Sequence, residues 1–548
     1  VKLRVINSIW LHLINRLLSF FIAFFLLFNP SIGCAAGQLP SGSRPYGAGS
    51  GGAQRALACR IDRISPQNRS LFVSCAVTLP PEKFQLRFAN RFAGVDRLSE
   101  RVYGLKIKDE TGAALFPEIH GDGVYFFDAM GGRRITIDFE MRLARALDPS
   151  QYALVSSLGQ AAGFLMTGDL LPRLCSARMS ESDCEALVNP VSLQIVAPQS
   201  WRIATTEKRE KDNFEIGDAR RAVFFLGRFR EKAVAIGAMT LRVAVVGEWG
   251  FSDEEVFDLA EAIAREQASM LGLLGMVGDG VKAPNFLQDS LMTLAPFPHP
   301  LTGLRSSAVT LGRTGVLMLN PNADVGATRA HYRRHLAHEM FHFYLPNAFQ
   351  VRENFDWFWE GFTRYIALIT IARLGWIGLQ EYLDAIGAEY EAYWFNPARG
   401  AVSLLAASPE KFASAANYDL VYRKGMLVAA LYDLELRWQS KGKRDLIDVI
   451  RTLYREYALP GREIGNREVL DEMRQAGDFS RLIRDDIENA REIDLNAQIN
   501  RYGLTMEWVA AGRGKARLRT ATRLSARQQS LLSELAKTPA AAPAPRLP

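Results

Sequence analysis

A chain of 548 residues with 48% hydrophobic and 23% charged side chains has the composition of a folded protein. It is too long for one compact core, so two to four domains are expected. Its 66 Lys and Arg against 59 Asp and Glu leave a formal charge of +7; Lys2, Arg4 and Arg16 sit at the extreme N-terminus, and the remainder is too small and dispersed to support a nucleic-acid partner.

In chain order, residues 1–36 read as a signal peptide. A basic start precedes the apolar run Leu17–Phe28, which Asn29-Pro30 ends before Gly33, Cys34, Ala35 and Ala36. That run falls short of the roughly 20 residues a bilayer span needs, so cleavage after Ala36 is expected. Two other readings stay open. Val5–Ile14 could lengthen the run into an uncleaved anchor, and Ser31-Ile32-Gly33-Cys34 resembles a bacterial lipobox, which would lipidate Cys34. Each of these readings makes the protein exported: periplasmic, secreted or membrane-anchored. Contact with a membrane is expected only through such an anchor.

Residues 37–57, rich in Gly and Ser, read as a flexible linker. Residues 58–235 carry strand-like runs (ALACRIDRI, LFVSCAVTL, GVYFF, RRITIDFEMRL, VSLQIVA and RAVFFLGRF) separated by Gly and Pro, which points to a β-sandwich-like N-terminal domain. With Cys34 set aside, four cysteines remain in two close pairs. A hairpin centred on Ser65-Pro66-Gln67-Asn68 would set Cys59 opposite Cys75 and Ile61 opposite Val73, and Cys175 and Cys184 would close a short loop. Two disulfides agree with export, each contributing about 2–3 kcal/mol by restricting the unfolded chain. The alternative is four buried thiols.

MTLRVAVVG reads as a further strand. Ser252 with Glu255 fits a capping box opening an amphipathic helix to about Leu271. From 325 the pattern turns helical, with apolar faces in 326–345, 357–374, 379–393, 419–438 and 444–457, then shorter candidates at 467–475 and 479–490. Residues 236–460 are expected to form a mainly helical catalytic domain, and 461–515 its C-terminal helical part. Residues 516–548 read as a polar helix and a disordered tail. The fold class is α+β multidomain.

The chemistry concentrates at His338-Glu339-Met340-Phe341-His342. On a helix, four residues advance about 6 Å and turn about 40°, so both imidazoles reach one ion from one face. Glu339 lies beside them, placed to take a proton from a water that such an ion activates. Glu360 follows His342 after 17 residues, in Asp356-Trp357-Phe358-Trp359-Glu360-Gly361-Phe362. A carboxylate among so many aromatics needs a positive partner. Arg364 or Arg352 could serve, but a metal also completes a His2Glu site with an open fourth position, so one Zn2+ per chain is expected, bound by His338, His342 and Glu360. His331 and His335 share the same helical arc; without an accompanying carboxylate they read as substrate-cleft or packing residues rather than a second metal site.

HEMFH followed by WFWEGFTRY resembles the gluzincin peptidases, and most of all the glycyl aminopeptidase family. The likeness continues through Tyr418-Asp419-Leu420-Val421-Tyr422-Arg423-Lys424-Gly425 and the late stretch DFSRLIRDDIENAREIDLNAQINRYGLTME. It implies an N-terminal β domain, a thermolysin-like catalytic domain and a peptide or protein substrate. It also implies that Tyr422 donates to the oxyanion of a tetrahedral intermediate; the other reading of Tyr422 is a core side chain. The chain departs from these relatives in three ways. The spacing to Glu360 is one residue shorter than in aminopeptidase N relatives, no PDZ domain is visible, and the Gly-Ala-Met-Glu-Asn segment is missing. Residues 296–318 hold no acid to grip a substrate ammonium, only Arg305 and Arg313, which leaves endopeptidase and aminopeptidase N-like activity both open. A peptidase-like binding protein without catalysis would be expected to have lost a ligand, base or oxyanion position, and none is lost.

Overall fold

The computed structural model describes residues 56–129, 134–144, 147–186, 190–274, 289–321, 325–509 and 514–535. The expected signal peptide, Cys34, nearly all of the linker and the end of the tail lie outside the described residues. Among the described residues no helix is long and apolar enough to cross a membrane.

The N-terminal part is built on an eight-stranded sheet. Its principal strands are β1 (Leu57–Ser65), β2 (Ser70–Thr78), β3 (Val102–Lys108), β4 (Arg134–Arg142), β5 (Val191–Ile195) and β6 (Asn213–Ile216), in the order β6-β5-β1-β2-β4-β3. Burial alternates along β1, β2 and β4, as period-two sequences require of a sheet with one face packed. The buried face holds Ile61, Val73, Ile137 and Phe139, packed against Phe84, Leu86, Leu165, Phe224 and Leu226 of two four-stranded sheets. The hairpin register is as expected: Cys59 pairs with Cys75 and Ile61 with Val73. Both expected disulfides, Cys59–Cys75 and Cys175–Cys184, are formed.

The C-terminal part begins with a five-stranded sheet of β7 (Arg230–Ile236), β8 (Met239–Val245), β9 (Asp289–Pro296), β10 (Ser306–Leu311) and β11 (Thr314–Leu319), in the order β7-β8-β9-β11-β10. Among the described residues the edge strand β10 pairs only with β11, antiparallel. Between β8 and β9 runs α1 (Asp253–Met270), capped where expected, with the Ser252 side chain accepting from the Glu255 amide. The Glu255 carboxylate does not close the capping box; it takes a bidentate bond from Arg329, a charged pairing stronger than a return bond to its own backbone.

The helices that carry the site follow: α2 (Val325–Phe341), α3 (Asp356–Arg373), α4 (Leu379–Trp394) and α5 (Ala415–Ser440). They share one apolar core with α1 and the inner face of the sheet. Helix α3 is buried over nearly its whole length, which explains its apolar character on every side. Helix α5 starts four residues before the expected position because Ser414 caps it, accepting from the Asn417 amide. Leu504–Val509 and Lys515–Thr520 pair as two strands that were not expected and straddle the boundary drawn at 515, while the polar helix expected after 516 runs over Ala526–Leu535.

The N-terminal and C-terminal parts share a core cluster that includes Tyr152, Phe225, Phe297 and Val309, and two hydrogen-bonded contacts lie near the motif. Ser307 on β10 donates to Ser150 O at 2.7 Å and accepts from the Ala153 amide at 2.9 Å. The 91–96 hairpin meets the segment before α5, where Arg91 donates to Phe412 O at 3.2 Å.

Candidate metal centre

His338 and His342 lie on the last turn of α2 and just past its end, and Glu360 sits in the first turn and a half of α3. All three side chains are buried. The two Nε2 atoms stand 3.0 Å apart, and Glu360 Oε2 lies 3.4 Å from each. A tetrahedral ion with bonds near 2.1 Å holds its donors about 3.4 Å from one another, so the residues present fit a zinc ion in both chemistry and spacing. His342 Nδ1 is 2.8 Å from Leu345 O. A carbonyl only accepts, so Nδ1 carries the proton and Nε2 keeps its lone pair for a metal.

The electrostatics agree for His338 and Glu360. Burial drives His338 down to about 3, with the Glu360 carboxylate opposing, so its imidazole is a neutral donor. Burial also opposes protonation of His342, but hydrogen bonding and attraction to Glu360 outweigh it and raise that ring above its usual value. Burial would push Glu360 up; the Lys411 charge and the two imidazoles outweigh that and hold it well below the carboxylate range. Glu360 is therefore anionic.

Glu339 is fully buried, and its carboxylate comes within 4.8 Å of the donor atoms of both histidines. Glu339 Oε2 lies 2.9 Å from Thr310 Oγ1, whose oxygen is also 2.9 Å from the Glu339 carbonyl. The edge strand thus holds the expected base beside the site. Tyr422, on α5, is buried with its ring centroid 6.5 Å from that of His338 and 4.7 Å from that of Tyr418. Helices α3 and α5 can bring Glu360 and Tyr422 together because they cross at Gly361 and Gly425, where a Cβ on Gly361 would fall 2.4 Å from Gly425 Cα.

Both arginines weighed as partners for Glu360 bond other carboxylates. Arg364 bonds Glu389 at 2.7 Å and Arg352 bonds Glu468 at 2.7 Å. The cation beside Glu360 is Lys411, with Nζ 3.1 Å from Oε1. Glu389 gathers Arg364, Arg334 and Arg423; burial alone would raise its pKa, but the three guanidiniums hold it well below the usual range. His331 Nε2 is 2.8 Å from Ser306 Oγ on β10, and its ring packs on His335. Burial, with Arg334 and Arg364, lowers His331 to about 4 and His335 well below its usual value. Both are neutral, and His331 reaches the edge strand. Arg313 turns away from the motif and donates to Thr206 O at 2.9 Å.

Sequence reasoning missed Lys411, Thr310 and Glu389. One signal was available: Asp356 and Glu360 are one turn apart on an apolar helix, and two buried carboxylates on one face call for a cation.

The donor set, two imidazoles and a carboxylate, is the one catalytic zinc peptidases use. More particularly, residues 331–428 match the family model of the M61 glycyl aminopeptidases. Among solved structures, an aminopeptidase N family protein from Idiomarina loihiensis superposes with a TM-score of 0.68 at 17% identity, over 82% of this chain and 79% of that one. That likeness establishes the shared fold. An M1 zinc metallopeptidase from Deinococcus radiodurans aligns over 80% of this chain and 94% of that one at 13% identity, but its TM-score of 0.48 adds no weight. No curated protein matches significantly.

Proposed function

We propose that the chain hydrolyses peptide bonds with one zinc ion held by His338, His342 and Glu360. The observation that carries this is the spacing of the three donor atoms, 3.0, 3.4 and 3.4 Å, the edges of a tetrahedral face. Zinc in such a site supplies Lewis acidity toward a carbonyl oxygen and water. Glu339 is the general base, its carboxylate taking the proton of the attacking water while Thr310 fixes its orientation. Tyr422 donates its phenolic proton in a hydrogen bond to the oxyanion. The leaving amine is protonated from Glu339.

Metal analysis of the purified chain tests the first claim, with one zinc per chain expected. Glu360→Gln should lose zinc, whereas Glu339→Gln should keep it and abolish turnover of a peptide library. Normal turnover by Glu339→Gln would remove the general base from the proposal. The same library reports whether cleavage is internal or N-terminal.

The proposal extends to export, with cleavage after Ala36 or lipidation of Cys34. Two disulfides support it, since such bonds persist in oxidising compartments. Intact mass of protein from its native compartment distinguishes a cleaved, an acylated and a full-length N-terminus.

A further inference from the structure

Lys411 opens a short turn, Lys411–Ala413, just before α5. Its side chain is fully buried, which for an ammonium demands close anionic partners. It has two, one turn apart on α3: Nζ stands 2.6 Å from Asp356 Oδ2 and 3.1 Å from Glu360 Oε1. The same ammonium lies 5.6 Å from the centroid of the Tyr422 ring and 4.8 Å from that of Phe412. The backbone that carries it is braced from the N-terminal part. Arg91 donates to Phe412 O, and Gly94 sits so close to the Phe412 ring that a Cβ there would fall 2.2 Å from Cδ1.

A carboxylate can present one oxygen to an ion, present both, or rotate away; which it does depends on what holds the other oxygen. Here Oε1 is the oxygen Lys411 holds, and Oε2 is the one 3.4 Å from both imidazoles. We infer that Lys411 is a positioning residue of the metal site, which fixes Glu360 with Oε2 toward the ion by donating to Oε1. The inference rests on the zinc reading of His338, His342 and Glu360. Its rival is that Lys411 only balances the charge of Asp356.

Removing Lys411 alone would leave Asp356 as an uncompensated anion near the ion, and its attraction would mask any loss of alignment. The paired change Lys411→Met with Asp356→Asn keeps the net charge and removes the donor. Zinc affinity of the full chain is read by competition with a chromophoric chelator, and ligand geometry by the visible spectrum of the cobalt-substituted protein. Positioning predicts a zinc Kd raised about 10–100-fold and an altered cobalt spectrum. A Kd within about threefold of the parent, with an unchanged spectrum, overturns the inference in favour of charge balance. Lys411→Gln with Asp356→Asn restores a neutral N–H donor and should recover most of the affinity. This variant also decides the matter if the Met pair fails to fold, because a loss as large as tenfold here, with folding intact, overturns the inference. Glu360→Gln separates the two levels. If the parent binds zinc and Glu360→Gln does not, the site stands and only the role of Lys411 is under test; if Glu360→Gln binds zinc as the parent does, the zinc reading itself fails.

Discussion

The crossing of α3 and α5 allows a perturbation whose size can be worked out in advance. A methyl group on Gly361 would meet Gly425 Cα at 2.4 Å, its carbonyl carbon at 2.5 Å and Met426 N at 2.9 Å. All three are backbone atoms, so no side chain can rotate to make room, and ordinary contact requires the helices to separate by about 1 Å. Gly361→Ala gains about 1 kcal/mol of helix propensity and loses about 1–3 kcal/mol to overpacking, so the net destabilisation is modest, about 0–2 kcal/mol. The effect on catalysis is larger. Glu360 adjoins Gly361 on one helix and Tyr422 lies three residues before Gly425 on the other, so separation moves the ligand relative to the oxyanion donor. A displacement near 1 Å costs about 10²-fold in rate. Gly425→Ala should act alike, since its methyl would meet Trp357 O at 2.6 Å and Gly361 Cα at 2.9 Å. The double variant should cost less than the sum, because one separation relieves both clashes. The assay is kcat on a peptide substrate, with zinc content and Tm from the same preparation. Parent-like kcat and Tm in either single variant would refute this account of the crossing.

Three further outcomes are expected. Thr310→Val removes the hydroxyl that holds Glu339 while keeping shape, so kcat should fall about tenfold or more at unchanged zinc content; unchanged kcat would mean the edge strand does not orient the base. Tyr422→Phe should reduce kcat by about 10²–10³ with zinc and Tm preserved; a lower Tm with normal kcat would make Tyr422 a core residue. Glu207, partly buried in the N-terminal part, has its carboxyl pushed from 4.5 up to about 7, chiefly by burial. A raised pKa means its stability contribution is intact below about pH 4.5 and is lost as pH rises through about 7. Glu207→Gln should therefore match the parent near pH 4 and be more stable at pH 8, by at most about 3 kcal/mol. Denaturant unfolding at the two pH values checks this, and an equal gain at pH 4 would contradict it.

What could be read from the sequence follows from the range of the forces involved. The cysteine pairing depends on a local hairpin whose alternation fixes register, and it is formed as expected. The two histidines are close because of helical geometry alone, and the approach of Glu360 follows from a carboxylate stranded among aromatics. The run Ser306–Leu319 is different: β10 and β11 are buried on every residue, so no polar–apolar alternation marks them, and Thr310 gives no sign of its partner. Lys411 lies 51 residues from Glu360 and its salt bridge is a purely tertiary event. Arg364 and Arg352 were nearer in sequence to Glu360, yet both are taken by other carboxylates, Glu389 and Glu468. Proximity along the chain identifies partners within a helix and is a poor guide to those across a core.

Two contacts of the N-terminal part, on Ser307 and on Phe412, reach the sheet and the turn that carries Lys411. Through them the N-terminal part bears on both the edge strand that holds Glu339 and the turn that carries Lys411. Residues 230–535 cut free of it would keep every group the chemistry requires and lose those two contacts. Changes far from the ligands, in the 91–96 hairpin or around Ser150, become a means of retuning the site without touching it.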